Sequence, residues 1–145
     1  MAALVVLLAS LLIYRAAGAL GLSWLGSWHA AARCALSTML LFIATAHFTR
    51  MREDLVRMML PAIPWPRALV YFTGLCEIAG AMGLLIPATR RAAGIALIMF
   101  FVAVFLANVR AARSGVGLRG KAATPLWLRA PMQLLFIILA WWVSR

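Results

Sequence analysis

The chain of 145 residues contains only three carboxylates, Glu53, Asp54 and Glu77. Glu77 sits deep inside an apolar run, 68–86, where an ionised carboxylate is costly. Its side chain is therefore expected to be protonated, paired or beside water. Thr73, Gly74 and Gly80 share its helical face, and Ala79 and Gly83 form a small-xxx-small pair nearby. Such a surface is the closely packed side of a membrane helix. Two kinds of chemistry fit Glu77. One is proton handling or ligand binding inside a helical bundle. The other is a neutral carboxyl that hydrogen-bonds one helix to the next.

Depth suggests partners for it. Counting the helical rise, Glu77 lies roughly 13 Å in from one membrane surface and Gln133 roughly 10 Å in, close enough in depth to meet if their helices adjoin. His47, Asn108 and Tyr71 form a shallower polar layer on the same side. With Thr73 these residues are expected to line a polar pocket open to the inner surface, with Glu77 at its floor. His47 has two readings: a proton shuttle or ligand, or a ring that hydrogen-bonds a loop carbonyl or caps a helix end. No metal is expected, because ligands must cluster, and His29 and His47 stand roughly 27 Å apart at opposite ends of one helix. The chain has no Gly-rich phosphate loop, His-Glu-x-x-His or serine elbow. Cys34 and Cys76 form no Cys-x-x-Cys pair. No catalytic residue is named on these grounds, and an enzyme is the less expected outcome.

The elements that must hold these residues follow from composition. Hydrophobic residues make up 66% of the chain and charged residues 12%, against about a quarter charged in an ordinary soluble domain. A small soluble domain cannot bury that much apolar surface, whereas a bilayer solvates it. A hydrocarbon core of about 30 Å needs about 20 apolar residues of helix. Five stretches come near that length: 2–22, 30–48, 68–86, 92–109 and 126–143. Together they predict one all-α transmembrane domain over 1–145. Arg15 interrupts the first stretch and is expected to snorkel. Arg129 and Pro131 lie near the start of the fifth, where a proline is tolerable in a first turn. The first stretch is not read as a cleaved leader, because no basic residue precedes it and Arg15 separates it from Ala17-Gly18-Ala19.

Between the second and third stretches, Met51, Leu55, Met58, Met59 and Ala62 recur at helical spacing opposite Arg50, Arg52, Glu53, Asp54 and Arg57. This pattern predicts an amphipathic helix over about 50–60, lying in the membrane interface and stopped by Pro61, Pro64 and Pro66. The glycine-containing loop 110–124 is expected to be mobile.

The net charge is +11. The bases sit in short stretches between apolar runs rather than on one face, which argues for lipid head groups and against nucleic acid. With the N-terminus cytoplasmic, nine Lys and Arg fall inside and five outside, so the C-terminus is expected to be periplasmic in a bacterial inner membrane. Trp24, Trp28, Trp141 and Trp142 would mark one interface, and Trp65 and Trp127 the other.

Leu41-Phe42-Ile43-Ala44-Thr45-Ala46-His47-Phe48 is followed by a Met- and Pro-rich loop and then by Tyr71-Phe72-Thr73-Gly74-Leu75-Cys76-Glu77-Ile78-Ala79-Gly80. This pattern, with Phe105-Leu106-Ala107-Asn108-Val109 and Pro125-Leu126-Trp127-Leu128-Arg129, resembles the DoxX-like family of small bacterial membrane proteins over about residues 30–144. The resemblance implies a four-helix transmembrane bundle, here with one additional N-terminal transmembrane helix, and gives Glu77 and His47 as characteristic polar positions. Members are linked to quinone-coupled oxidation, redox-stress complexes and assembly roles. The absence of a cysteine pair argues against thiol redox chemistry here. The expected function is a non-catalytic accessory or assembly subunit of a membrane complex, including a redox one, with the bilayer and either a larger complex or further copies of the chain as partners. The alternative is a binding protein or oxidoreductase subunit for a lipid-soluble molecule such as a quinone, held in a polar pocket around Glu77; quinone is the one cofactor in view.

Overall fold

A computed structural model describes residues 2–57, 59, 64–114 and 125–145, and the side chains of 107, 108 and 110–114 are outside that description. Met58 and Ala62 of the expected interfacial helix, most of the loop 110–124 and the Asn108 side chain therefore lie outside the described residues.

The described residues form helices joined by short turns, with no strand among them. The helices are α1 (Ala2–Ala19), α2 (Trp28–Phe48), α3 (Arg52–Arg57), α4 (Pro66–Leu85), α5 (Arg90–Ser114) and α6 (Leu126–Val143), and a 3-10 turn, Ser23–Leu25, lies between α1 and α2. Among the described residues, α1, α2, α4 and α6 are long and apolar enough to cross a membrane. α5 is longer still, at 25 residues.

Local signals explain where these helices begin. The Ser27 side chain caps α2 by accepting from the Ala30 amide at 3.1 Å, a contact worth about 1 kcal/mol. Pro66 opens α4 at its first turn, where a missing N–H costs nothing. The residue ahead of it, Trp65, takes a left-handed φ of 56° and turns the chain into the helix. In α6 the Leu128 and Arg129 amides already bond to the Pro125 carbonyl. Pro131 thus falls in the second turn, one turn deeper than the sequence suggested. The carbonyl it leaves without a helical donor is that of Trp127, a residue that is largely exposed at the helix start.

α2 is the hub of the packing. It contacts α1, α4 and α6; α4 also contacts α5, and α5 contacts α6, so α2, α4, α5 and α6 close a ring. α1 lies outside that ring, against α2 and the turn that follows it. Leu36, Met39, Leu40, Leu84, Leu97, Phe101, Phe136 and Val143 are buried in the shared core. Val5, Leu12, Ile13, Phe72, Leu75, Ile95, Met99, Leu106, Leu134 and Ile138 are each more than half exposed. A belt of that size is far beyond the apolar patches that water-soluble monomers expose.

One end of the molecule is rich in arginine bonded to main-chain carbonyls. Arg33 Nε donates to the Val143 carbonyl at 3.1 Å, Arg90 Nε to Leu84 at 3.3 Å, and Arg15 Nη1 to Gly26 at 2.6 Å. Leu84 and Val143 close α4 and α6, where the last carbonyls lack helical donors and carry the negative end of the helix dipole. Arg15 also stacks over the Trp28 ring. It is thus tied to the α1–α2 turn and does not reach freely toward the surface.

At the opposite end α3 covers Arg52–Arg57 within the helix expected over 50–60, of which residues 58 and 60 lie outside the described residues. It packs on α4 and α2. Glu53 anchors it, with one oxygen 3.2 Å from Arg52 and the other 3.3 Å from Arg67 of α4. The Arg52 hydrogen bond, with Arg67 adding to it, holds the Glu53 carboxyl below its ordinary pKa.

Candidate functional site

The buried polar site lies where the last turn of α2 crosses the middle of α4. His47 and Glu77 are both buried there, at 8% and 6% exposed. Gly74 allows the approach, because a Cβ at that position would stand 2.7 Å from the His47 Cβ. Thr73, Gly74 and Glu77 thus present one continuous surface to the imidazole.

Each face of the ring has a partner. His47 Nδ1 lies 2.7 Å from the Val70 carbonyl oxygen. A carbonyl only accepts, so Nδ1 carries a proton. The Thr73 hydroxyl donates to the same carbonyl at 2.8 Å and lies 3.2 Å from Nδ1. With Nδ1 so fixed, Nε2 turns to Glu77 Oε2 at 3.4 Å. Oε2 is buried and makes no hydrogen bond among the described residues.

The other residues singled out in the sequence are placed elsewhere. Gln133 does not meet Glu77. Its Nε2 donates to the Phe101 carbonyl of α5 at 2.6 Å, because α6 adjoins α5 and α2 in the ring while α4 lies diagonally across. Tyr71 is on the outward side of α4, where its hydroxyl contacts Arg52 and its ring packs 5.7 Å from that of Phe48. The Asn108 side chain is outside the described residues. Thr73, His47 and Glu77 are therefore brought together, while Gln133 and Tyr71 serve other helix contacts.

Two ties were not anticipated from the sequence. Ser37 of α2 donates to the Ala81 carbonyl of α4 at 3.1 Å, deep in the core. Tyr14 of α1 meets Thr38 of α2 at 2.9 Å. A small hydroxyl in an apolar run was the available signal, but it does not reveal its acceptor.

An open apolar groove of about 550 Å³ runs between α4 and α5, away from the His47–Glu77 pair. Cys76, Ala79, Gly83, Ala92, Ala96 and Phe100 are among its walls. Its floor is close-packed: a Cβ on Gly83 would stand 2.7 Å from the Ala93 methyl. Among the described residues no group of His, Cys, Asp and Glu stands close enough to hold a metal.

No curated protein and no solved structure matches the chain. The family described as Domain of unknown function (DUF8561) matches residues 36–144, which takes in most of α2 and leaves out α1. Because that match covers well over half of the sequence, the chain belongs to this family.

Proposed function

We propose that this protein is a small integral membrane subunit that acts by packing against a larger membrane complex, without catalysis of its own. The observation that carries the reading is the closure of the polar site. Glu77 and His47 face each other across 3.4 Å at 6% and 8% exposure, so the pair serves as an interhelical clamp. A quinone site around Glu77 is less well supported, since the groove beside α4 does not include Glu77 or His47 among its walls.

The topology in this reading has five crossings. α5 at 25 residues is about 38 Å long, more than the roughly 30 Å of a hydrocarbon core. The ring of α2, α4, α5 and α6 is a four-helix transmembrane bundle, and α1 is an added helix on its rim. The family match supports this division by starting inside α2. The bundle's fold and the Thr-Gly-x-x-Glu of α4, with His47 of α2 packed against it, also fit the DoxX-like resemblance. The N-terminus and α3 face the cytoplasm and the arginine-rich end faces the periplasm of a bacterial inner membrane.

Affinity capture from native membranes after mild crosslinking tests the reading. A partner recovered in fixed ratio with the chain is the expected result. Recovery of the chain alone, with Glu77→Gln and His47→Ala each abolishing binding of an added quinone, would replace it with the small-molecule reading.

A further inference from the structure

Two arginines overhang the arginine-rich end of the ring. Arg33 stands one turn before Ser37 on α2, and Ser37 is bonded in the core to the Ala81 carbonyl of α4. Arg90 stands one and two turns before Gly94 and Leu97 on α5, both of which are buried. Both arginines therefore issue from the inward faces of their helices. Each reaches a neighbouring helix end: Arg33 Nε the Val143 carbonyl of α6, and Arg90 Nε the Leu84 carbonyl of α4. α2 and α5 are diagonal in the ring, yet the two guanidiniums are close enough to repel each other. They meet half-buried across the mouth of the bundle. Arg91, by contrast, is exposed on the outward side of α5 with Ile95 and Met99.

The protein does not neutralise this pair. Leu84 and Val143 bring the negative ends of two helix dipoles, each roughly half a charge, but α2 and α5 begin at the same end with the opposite sign. Around the ring those ends cancel, and both guanidinium charges are left uncompensated. None of the three acidic side chains is here: Glu53 and Asp54 are on α3 at the opposite end, and Glu77 is buried in mid-helix. With Nε spent on carbonyls, the Nη groups of both arginines make no hydrogen bond among the described residues. Trp28 and Trp141 are exposed at the same end, which sets the mouth at the level of lipid head groups.

We propose that Arg33 and Arg90 together bind one phosphate-type oxyanion at the mouth of the α2–α4–α5–α6 ring, taken from an anionic lipid head group or from free phosphate. A guanidinium fork offers paired N–H donors to such oxygens. Phosphate oxygens stand tetrahedrally, so two forks on opposite sides reach different oxygens. The planar carboxylate of a partner protein presents both of its oxygens to a single fork. The bound anion removes the repulsion between the two arginines and joins the diagonal helices α2 and α5 near their starts.

Native mass spectrometry of the full chain in a neutral detergent tests this, with phosphatidylglycerol, inorganic phosphate and diacylglycerol as separate probes. One phosphatidylglycerol or one phosphate retained per chain is the expected result. The first gives the lipid head group as the source, the second the free anion. Diacylglycerol, with the same chains and no phosphate, should be neither retained nor able to compete. Arg33→Gln and Arg90→Gln should each weaken retention about tenfold, the loss of one charge-assisted donor. Arg91→Gln, on the outward side, should have a smaller effect than Arg90→Gln. Should loss of the Val143 cap unfold Arg33→Gln, Arg33→Lys keeps the charge and a carbonyl donor. It should still weaken retention, because an ammonium lacks the fork that serves carbonyl and anion together. Equal retention by the native chain and both glutamine variants, or retention of neither phosphate-bearing probe, would overturn the inference. So would a photoreactive residue at Ala88 that traps an acidic protein segment instead of lipid in native membranes.

Discussion

The space that a side chain at Gly74 would need is already filled by the Cβ of His47, 2.7 Å from where that chain would begin. Helices α2 and α4 are thus in close contact around the imidazole. Gly74→Ala should force them apart and cost about 1–3 kcal/mol, the usual range for overpacking. Reversible unfolding in mixed detergent would measure it. An unchanged midpoint would mean that the helices shift apart freely at this crossing.

Glu77 offers a graded series. Glu77→Gln keeps a polar group facing His47 Nε2 and should be nearly silent in stability. Glu77→Leu strands a buried ring nitrogen and should cost about 1–3 kcal/mol. Adding His47→Leu to Glu77→Leu should return part of that loss, because an apolar pair of similar volume needs no partner. If the double variant were less stable than Glu77→Leu by the full cost of a second polar deletion, the clamp would not be acting as a pair.

Gln133 tests the separation of the two polar contacts. Gln133→Leu removes the donor to the Phe101 carbonyl and should cost about 0.6 kcal/mol, typical of a hydrogen bond between membrane helices. Combined with Glu77→Gln, its effect should add within about 0.5 kcal/mol, as expected for sites without shared partners. A strong coupling between them would place both in one network.

Glu53 sets a pH dependence at the membrane surface. Its folded pKa is depressed from the ordinary 4.5 by Arg52 first and then Arg67. A depressed carboxylate stabilises the folded arrangement above its unfolded pKa and loses that contribution as pH falls through the folded value. The docking of α3 on α4 should therefore be intact near neutrality and loosen progressively as pH drops below about 4.5. A spin label on Val56 would report it as rising mobility, and Glu53→Gln should give a loose α3 at every pH. A label whose mobility is flat from neutral to strongly acidic pH would remove Glu53 as the anchor.

Apolar run length places the helices well. The runs around 30–48, 68–86 and 126–143 coincide with α2, α4 and α6 to within about two residues. Depth was legible only in part: the helical rise set His47 in a shallower layer than Glu77, whereas its Nε2 lies 3.4 Å from Glu77 Oε2. Rotation was not legible. Glu77 and Gln133 match in depth, yet Gln133 turns to α5, and a single sequence carries no signal for which neighbour a given face meets. The same gap explains Tyr71, which is at the right level but on the outward side of α4. Gly74 was visible as a small residue on the Glu77 face, but only the crossing with α2 shows that the space it leaves belongs to His47. Of the expected interfacial helix, Arg52–Arg57 is helical as α3, and residues 58 and 60 lie outside the described residues.

Four of the ties between helices share a form. Ser37 reaches the Ala81 carbonyl, Arg33 that of Val143, Gln133 that of Phe101, and His47 that of Val70. In these four the acceptor is supplied by backbone, which every residue type possesses, whereas Tyr14–Thr38 and His47–Glu77 join two side chains. Each of the four bonds therefore constrains one position and leaves its counterpart at liberty. Across the family, substitutions should accumulate at 70, 81, 101 and 143, limited by volume alone, while 33, 37, 47 and 133 stay fixed. Pairwise covariation would then be weakest at these joints, so methods that infer contacts from co-changing residues should overlook these four bonds between the helices.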